Sequence, residues 1–208
     1  MRGAPSALVG IVDYGAGNLQ SIENAFSHVG ARTRRLSVAA DVASCSHLVL
    51  PGVGAFGFCG SRLAASGLLE ALHRWAREDK RPLLGICVGM QLLADRSDES
   101  LDAAGLGWIG GDVSLLPSSE HVRVPHVGWN LVVFEHDYGV FAAGNSADFY
   151  FDHSYAYREP RLGVTLGYCT HGVRFSAVVQ RENLTASQFH PEKSQSAGLR
   201  FLNSFLLQ

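Results

Sequence analysis

The sequence predicts an α/β fold: a mostly parallel central sheet flanked by helices, with an antiparallel extension in the C-terminal half. Three features of the chain point to it. Apolar runs of strand length alternate with helical periodicity in the first half, and each run ends in a glycine-rich turn. Beyond about Gly105 the pattern changes to short strands separated by turn residues.

Taken in order, "ALVGIVDYG" reads as a buried strand, and Leu19, Ile22, Phe26 and Val29 then recur at the three- and four-residue spacings of one helix face. A second βα unit follows in "HLVLPG" and the amphipathic stretch from Leu68 to Trp75, and a third in "PLLGI" and "MQLLAD". The turns after these strands, "DYGAGN", "PGVGAF" and "GICVGM", would gather at the carboxyl edge of the sheet, where open α/β sheets bind ligands. The segments "GGDVSLL", "NLVVF", "DFYF", "RLGVTLGY", "VRFSAVVQ" and "LTASQF" read as strands of the extension. A closing helix from about Ser196 to Leu207 would pack Leu199, Leu202 and Phe205 back onto the sheet.

No sharp shift in composition marks a linker in the 208 residues, so one domain spanning 1–208 is expected, with residues 1–7 flexible. A formal net charge of -2 leaves no electrostatic footprint of a nucleic-acid or anionic-membrane binder. No apolar run approaches the roughly 18 residues of a membrane span, and the opening segment, interrupted by Asp13, is not a secretory signal. The four cysteines, Cys45, Cys59, Cys87 and Cys169, are widely spaced without C-x-x-C, the pattern of free thiols in a reducing compartment. A cytoplasmic location is expected.

Gly85-Ile86-Cys87-Val88-Gly89 is a G-x-C-x-G counterpart of the G-x-S-x-G elbow, a turn sharp enough to present its central side chain. The positive end of a following helix would favour a thiolate there. A cysteine nucleophile needs a base, and "QFHPEKS" supplies His190 with Glu192 two residues on, which would share a face if the segment were extended. Cys87, His190 and Glu192 then make nucleophile, base and orienting carboxylate. Oxyanion donors would be the backbone N–H groups of Val88 and Val53, the latter turned inward between Gly52 and Gly54. Taken singly, each feature has a plainer reading: a buried core thiol, a satisfied histidine, an ordinary glycine turn.

In sequence order, "IVDYGAGNLQSI", "LPGVGAF", "GICVGMQLL", "GLGWIGGDV", "VPHVGWN", "FYFDHSY" and "QFHPEKS" resemble the class I (triad) glutamine amidotransferases, and within them the glutaminase subunits of imidazole glycerol phosphate synthase. The resemblance covers nearly the whole chain, and "DYGAGN" and "PHVGWN" narrow it to this subunit type. It implies a flavodoxin-like fold and hydrolysis of glutamine through a Cys87 thioester. No metal is expected, since no close metal-type spacing joins His153, His190 and Glu192, and no cofactor is expected. By similarity glutamine would sit among Gly52, Gly54, Gln91, Glu99, His153, Ser154 and Tyr155. Gln91, four residues after Cys87 on a predicted helix, would face the same way as the nucleophile. The ammonia would pass to a (β/α)8 barrel cyclase in a heterodimer, with Asn18, Trp129, Asn130 and Lys193 at or near the interface. Docking is expected to reorient the peptide before Val53. Val88, Asp152 and the pair Ala186-Ser187 depart from the family's usual residues, and none of them removes a catalytic group.

Four other readings share parts of this pattern. Related glutaminases feed sugar amidotransferases in surface-polysaccharide synthesis, and hydrolases of γ-glutamyl compounds share the elbow and the H-x-E. A degenerate regulatory subunit would have lost a triad residue, and all are present. A dinucleotide module built on "GAGNLQ" lacks the third glycine, which is replaced by Gln20.

Overall fold

The computed structural model describes residues 7–158 and 164–208. The flexible start expected at residues 1–7 lies outside the described residues up to position 6. Ala7 is tied down: its carbonyl accepts the Arg32 N–H at 2.9 Å.

The first unit is β1 (Leu8–Val12) followed by α1 (Leu19–His28), which buries Ile22, Ala25 and Phe26. The Asn18 side chain accepts the Ser21 N–H at the start of α1, the capping role its residue type favours. A strand not anticipated from sequence follows, β2 (Arg32–Leu36), since "RTRRL" has no apolar alternation; parallel pairing with β1 holds it at the sheet edge. The next strands, β3 (His47–Leu50) and β4 (Leu83–Ile86), are buried throughout. Where one helix was expected between them there are two. The first, α2 (Phe56–Ala65), carries two glycines that lower its helix propensity, yet buries Phe56, Cys59 and Leu63 at helical spacing. The second, α3 (Leu69–His73), continues in wider π-helical turns over Arg74–Glu78. After β4 comes α4 (Val88–Gln91), a single turn.

The second half forms β5 (Arg96–Ser97), β6 (Asp112–Leu115), β7 (His126–Phe134), β8 (Ser146–His153), β9 (Tyr155–Arg158), β10 (Thr165–His171), β11 (Val173–Arg181) and β12 (Leu184–Ser187). The expected strand "RLGVTLGY" starts outside the described residues, at 161–163. The closing helix α5 (Gln195–Phe205) buries Leu202 and Phe205 and leaves Leu199 half-buried against the core.

One nine-stranded sheet runs β2-β1-β3-β4-β12-β11-β10-β7-β8. Its first five strands are parallel. Strand β12 lies parallel to β4 and antiparallel to β11, so the antiparallel extension continues the same sheet. This places the turns after β4 and β12 side by side at the carboxyl edge. A separate three-stranded sheet runs β5-β6-β9, and its strand β9 begins at Tyr155, whose carbonyl accepts the Gln91 amide of α4.

Side chains alternate along β7, and Val127, Trp129, Leu131 and Val133 are each between 43% and 56% exposed, an apolar stripe facing outward. Among the described residues no helix is long and apolar enough to cross a membrane.

Candidate active site

Cys87 sits where β4 turns into α4, with φ 54° and ψ -112°. A non-glycine residue there stores about 1–3 kcal/mol of strain, which surrounding structure must impose. Two constraints do so: the Cys87 N–H is bound to the Ser187 carbonyl of β12 at 2.8 Å, and Gly89 passes against β3 so closely that a Cβ would lie 1.9 Å from the Leu50 oxygen. The predicted elbow is therefore present. The helix behind it is one turn, so it offers less dipole than the sequence pattern implies. Cys87 is buried, with the Gln188 amide 3.7 Å and the Asp152 carbonyl 4.0 Å from Sγ.

His190 follows β12. Its N–H donates to Tyr150 at 2.9 Å, and its carbonyl accepts the Ser194 hydroxyl at 2.6 Å. The segment after it is a 3-10 turn, Pro191–Lys193, and not the extended strand that sequence spacing assumed. The turn brings the same two groups together: His190 Nδ1 and Glu192 Oε1 lie 2.8 Å apart, with side chains 3% and 2% exposed. Burial alone, the largest single influence on His190, disfavours its charge. Hydrogen bonding and attraction from Cys87 and Glu192 together outweigh it and hold the imidazole well above its ordinary pKa. An imidazolium beside the sulfur is the neighbour a thiolate requires.

A cavity of about 270 Å³ unites Cys87 and His190 with Val53, Gly54, Val88, Gln91, Glu99, His153, Ser154, Tyr155 and Lys193, residues drawn from distant parts of the chain. Gly52, expected at the ligand, does not line it: the residue is buried against the elbow, where a Cβ would meet the Gly89 nitrogen at 2.7 Å. The loop from Pro51 is braced by "DYGAGN", whose Tyr14 hydroxyl donates to the Pro51 carbonyl at 2.6 Å. Glu99 Oε2 accepts the Phe56 N–H at 2.8 Å, capping α2, which has no capping side chain of its own. Gln91 braces the wall, its amide nitrogen donating to the Tyr155 carbonyl at 2.9 Å and to Gln188 Oε1 at 3.2 Å.

Of the expected interface residues, Trp129 is exposed on the outward stripe and meets the Tyr150 ring edge-on, while Lys193 Nζ lies 5.4 Å from the same ring. Asn130 points the other way, donating to His126 Nε2 at 3.0 Å and the Thr170 carbonyl at 3.1 Å. It is not beside Trp129 because neighbouring strand residues face opposite sides of the sheet. Asp152 is exposed at the cavity rim, paired across the strands with Val127.

Sequence reasoning missed Gln188, Ser194 and His126. The first two lie inside "QFHPEKS" and were legible only as neighbours of His190. His126 lies in "PHVGWN", where nothing local shows that it pairs with His153 across β7 and β8. Among the described residues no cluster of His, Cys, Asp or Glu could hold a metal ion.

Residues 10–208 match the model of the family described as glutamine amidotransferase class-I. The imidazole glycerol phosphate synthase subunit HisH of Zymomonas mobilis is 44% identical, covering 99% of this chain and 98% of its own. The protein of the same name from Rhodospirillum rubrum is 42% identical over 95% and 97%. In three dimensions the fold resembles a crystal structure of a glutamine amidotransferase (TM-score 0.76, 20% identity, covering 96% of this chain and 97% of that one). It also resembles a chain in the structure of PurLQS from Thermotoga maritima (TM-score 0.74, 17% identity, covering 98% and 99%).

Proposed function

The chain belongs to the class I glutamine amidotransferase family, and we propose that it is the glutaminase subunit of an imidazole glycerol phosphate synthase, supplying ammonia for histidine biosynthesis. The observation that carries the chemistry is that His190, paired with the buried Glu192, lines the same cavity as the strained Cys87. Cys87 Sγ attacks the side-chain amide carbon of glutamine, and the backbone N–H groups of Val88 and Val53 receive the oxyanion. His190 delivers a proton to the departing nitrogen, releasing ammonia and leaving a γ-glutamyl thioester. It then takes a proton from water, whose oxygen replaces sulfur to give glutamate and restore the thiol. Glu192 holds the imidazole in orientation throughout.

Glu99, His153, Ser154 and Tyr155 surround the amino-acid end of the substrate, and the Glu99 carboxylate faces its ammonium. The ammonia acceptor is a (β/α)8 cyclase docked on the outward face of β7 and β8, beside Trp129, Tyr150 and Lys193. The apolar stripe supports this site, since an exposed patch of this kind ordinarily marks an interface. Docking turns the Gly52–Val53 peptide so that the Val53 N–H faces Cys87, a rotation about ψ of Gly52 and φ of Val53 to which the glycine offers no Cβ. The single domain of 208 residues works in the cytoplasm.

Glutamate release is measured with the chain alone and with the cyclase plus its nucleotide ligand. Strong stimulation is expected, and Cys87→Ala should reduce the stimulated rate by at least about 10⁴-fold. Glutamate without any response to the cyclase points to a sugar amidotransferase as the acceptor. Hydrolysis of γ-glutamyl peptides by the chain alone points to a hydrolase.

A further inference from the structure

Behind the cavity wall a line of polar side chains runs through the sheet, away from Cys87. The Tyr155 carbonyl, which already accepts Gln91, also lies 2.8 Å from His153 Nδ1. His153 Nε2 is 3.0 Å from His126 Nδ1, and His126 Nε2 is 3.0 Å from the Asn130 amide nitrogen.

Backbone groups at the two ends fix every proton in this line. A carbonyl only accepts, so His153 Nδ1 carries a hydrogen and, in the neutral ring, its Nε2 accepts. Asn130 is oriented independently: its amide nitrogen donates to the Thr170 carbonyl at 3.1 Å, and its oxygen accepts the Leu131 N–H at 2.8 Å. It therefore presents a donor to His126 Nε2, leaving His126 Nδ1 as the donor to His153. Both ends demand the same polarity, and one wrong tautomer would set two donors face to face.

The geometry leaves the His126 ring little freedom. It is stacked between Phe151 at 4.7 Å and His171 at 4.1 Å, and His171 is itself anchored through Nε2 to the Arg123 carbonyl. Burial, with the adjacent His153 and His171 adding to it, pushes His126 down to about 3, and burial pushes His153 down to about 4. Both rings are therefore neutral at working pH, as the line requires.

We propose that His126 is a positioning residue for the glutamine pocket: held in one tautomer by Asn130, it fixes the tautomer of His153 and with it the Tyr155 carbonyl. It thereby ties strand β7, whose opposite face docks the second subunit, to the wall that Gln91 and Gln188 extend to the Cys87 sulfur. The proposal rests on the glutaminase reading for its substrate; the tautomers do not depend on it.

Two measurements test it. Ring-nitrogen NMR of the labelled chain should show Nδ1–H and an accepting Nε2 for both His126 and His153, and an Nε2–H signal from either ring overturns the proposal. In the complex with the cyclase, His126→Leu should raise KM for glutamine about tenfold with kcat little changed, the scale of one lost buried hydrogen bond. His126→Asn, which keeps a donor near the Nδ1 position, should recover most of that loss. An unchanged KM in His126→Leu, or a loss that His126→Asn does not reduce, overturns the positioning role. Should His126→Leu fail to fold, the half-buried Asn130→Leu replaces it, with about a threefold rise in KM and mixed His126 tautomers expected; no change in either counts against the proposal. If the parent complex releases no glutamate, the glutaminase reading falls, while NMR still decides the tautomers.

Discussion

The two halves of the sheet contribute to the site in different ways. The parallel half supplies the reacting groups at strand ends and holds them by backbone: Cys87 on a turn wedged against β3, and His190 held through its N–H and carbonyl. The antiparallel half, with the small flanking sheet, supplies the walls and holds them by side chains, in the line from Asn130 through His153 to Tyr155. Backbone restraint suits a nucleophile, whose position must not relax. Side-chain restraint suits a wall that also has to register a partner on its outer face.

The largest expected effect within this comparison belongs to Glu192, whose side-chain contact orients the His190 imidazole. Glu192→Gln should lower the stimulated glutaminase rate by about 10³-fold, because the imidazole loses its orienting carboxylate. It should also lower the His190 pKa. A histidine raised above its unfolded value of about 6.5 contributes stability that is full below that pH and lost as pH rises through the raised folded value. The stability gap between parent and Glu192→Gln should therefore be widest below about pH 6.5 and close as pH rises through the raised His190 value. Urea unfolding at a series of pH values measures it, and a gap independent of pH would show that His190 is not a cation held by Glu192.

Gly89→Ala tests the backbone side of the contrast. A methyl group 1.9 Å from a buried carbonyl oxygen cannot be absorbed by a rotamer change, so the elbow must move away from β3. A loss of about 3 kcal/mol is expected, at the upper end for single substitutions. Denaturant titration reads it directly, and a loss below about 1 kcal/mol would mean that the elbow is softer than its dihedrals imply.

The same division governs what was legible in the sequence. Cys87 with its two glycines, and His190 with Glu192, stand close together in the chain, so spacing alone exposed them. The local geometry was partly misjudged, since Pro191–Lys193 coils where an extended segment was assumed, yet a short loop offers few ways to separate neighbours two residues apart. The parallel strands were visible as apolar runs; β2 was not, because its arginine-rich sequence is fixed only by pairing with β1. The walls depend on register between strands distant in sequence. The contacts of His126 with His153, and of Gln91 with Tyr155 and Gln188, span intervals that no local pattern encodes. Asn130 shows the same limit at close range: it adjoins Trp129 in the chain, yet the period of two along β7 turns it toward His126, a contact that no local pattern announces.

The smallest effect is expected where the antiparallel half meets its partner. Trp129 is 48% exposed and makes one edge-on contact with Tyr150, so Trp129→Ala removes little that the isolated chain depends on. Its thermal or urea stability should change by no more than about 0.5 kcal/mol. A half-exposed tryptophan flanked by Val127 and Leu131 is nevertheless the residue type that dominates interfaces once covered. Affinity for the cyclase should fall by about 2 kcal/mol, measured by calorimetric titration. The stimulated rate at saturating cyclase should stay close to that of the parent, because Trp129 lies on the opposite face of β7 from His126 and Asn130. Lost stimulation despite saturation would place Trp129 within the coupling between the halves and would merge the face that docks with the line of side chains that positions.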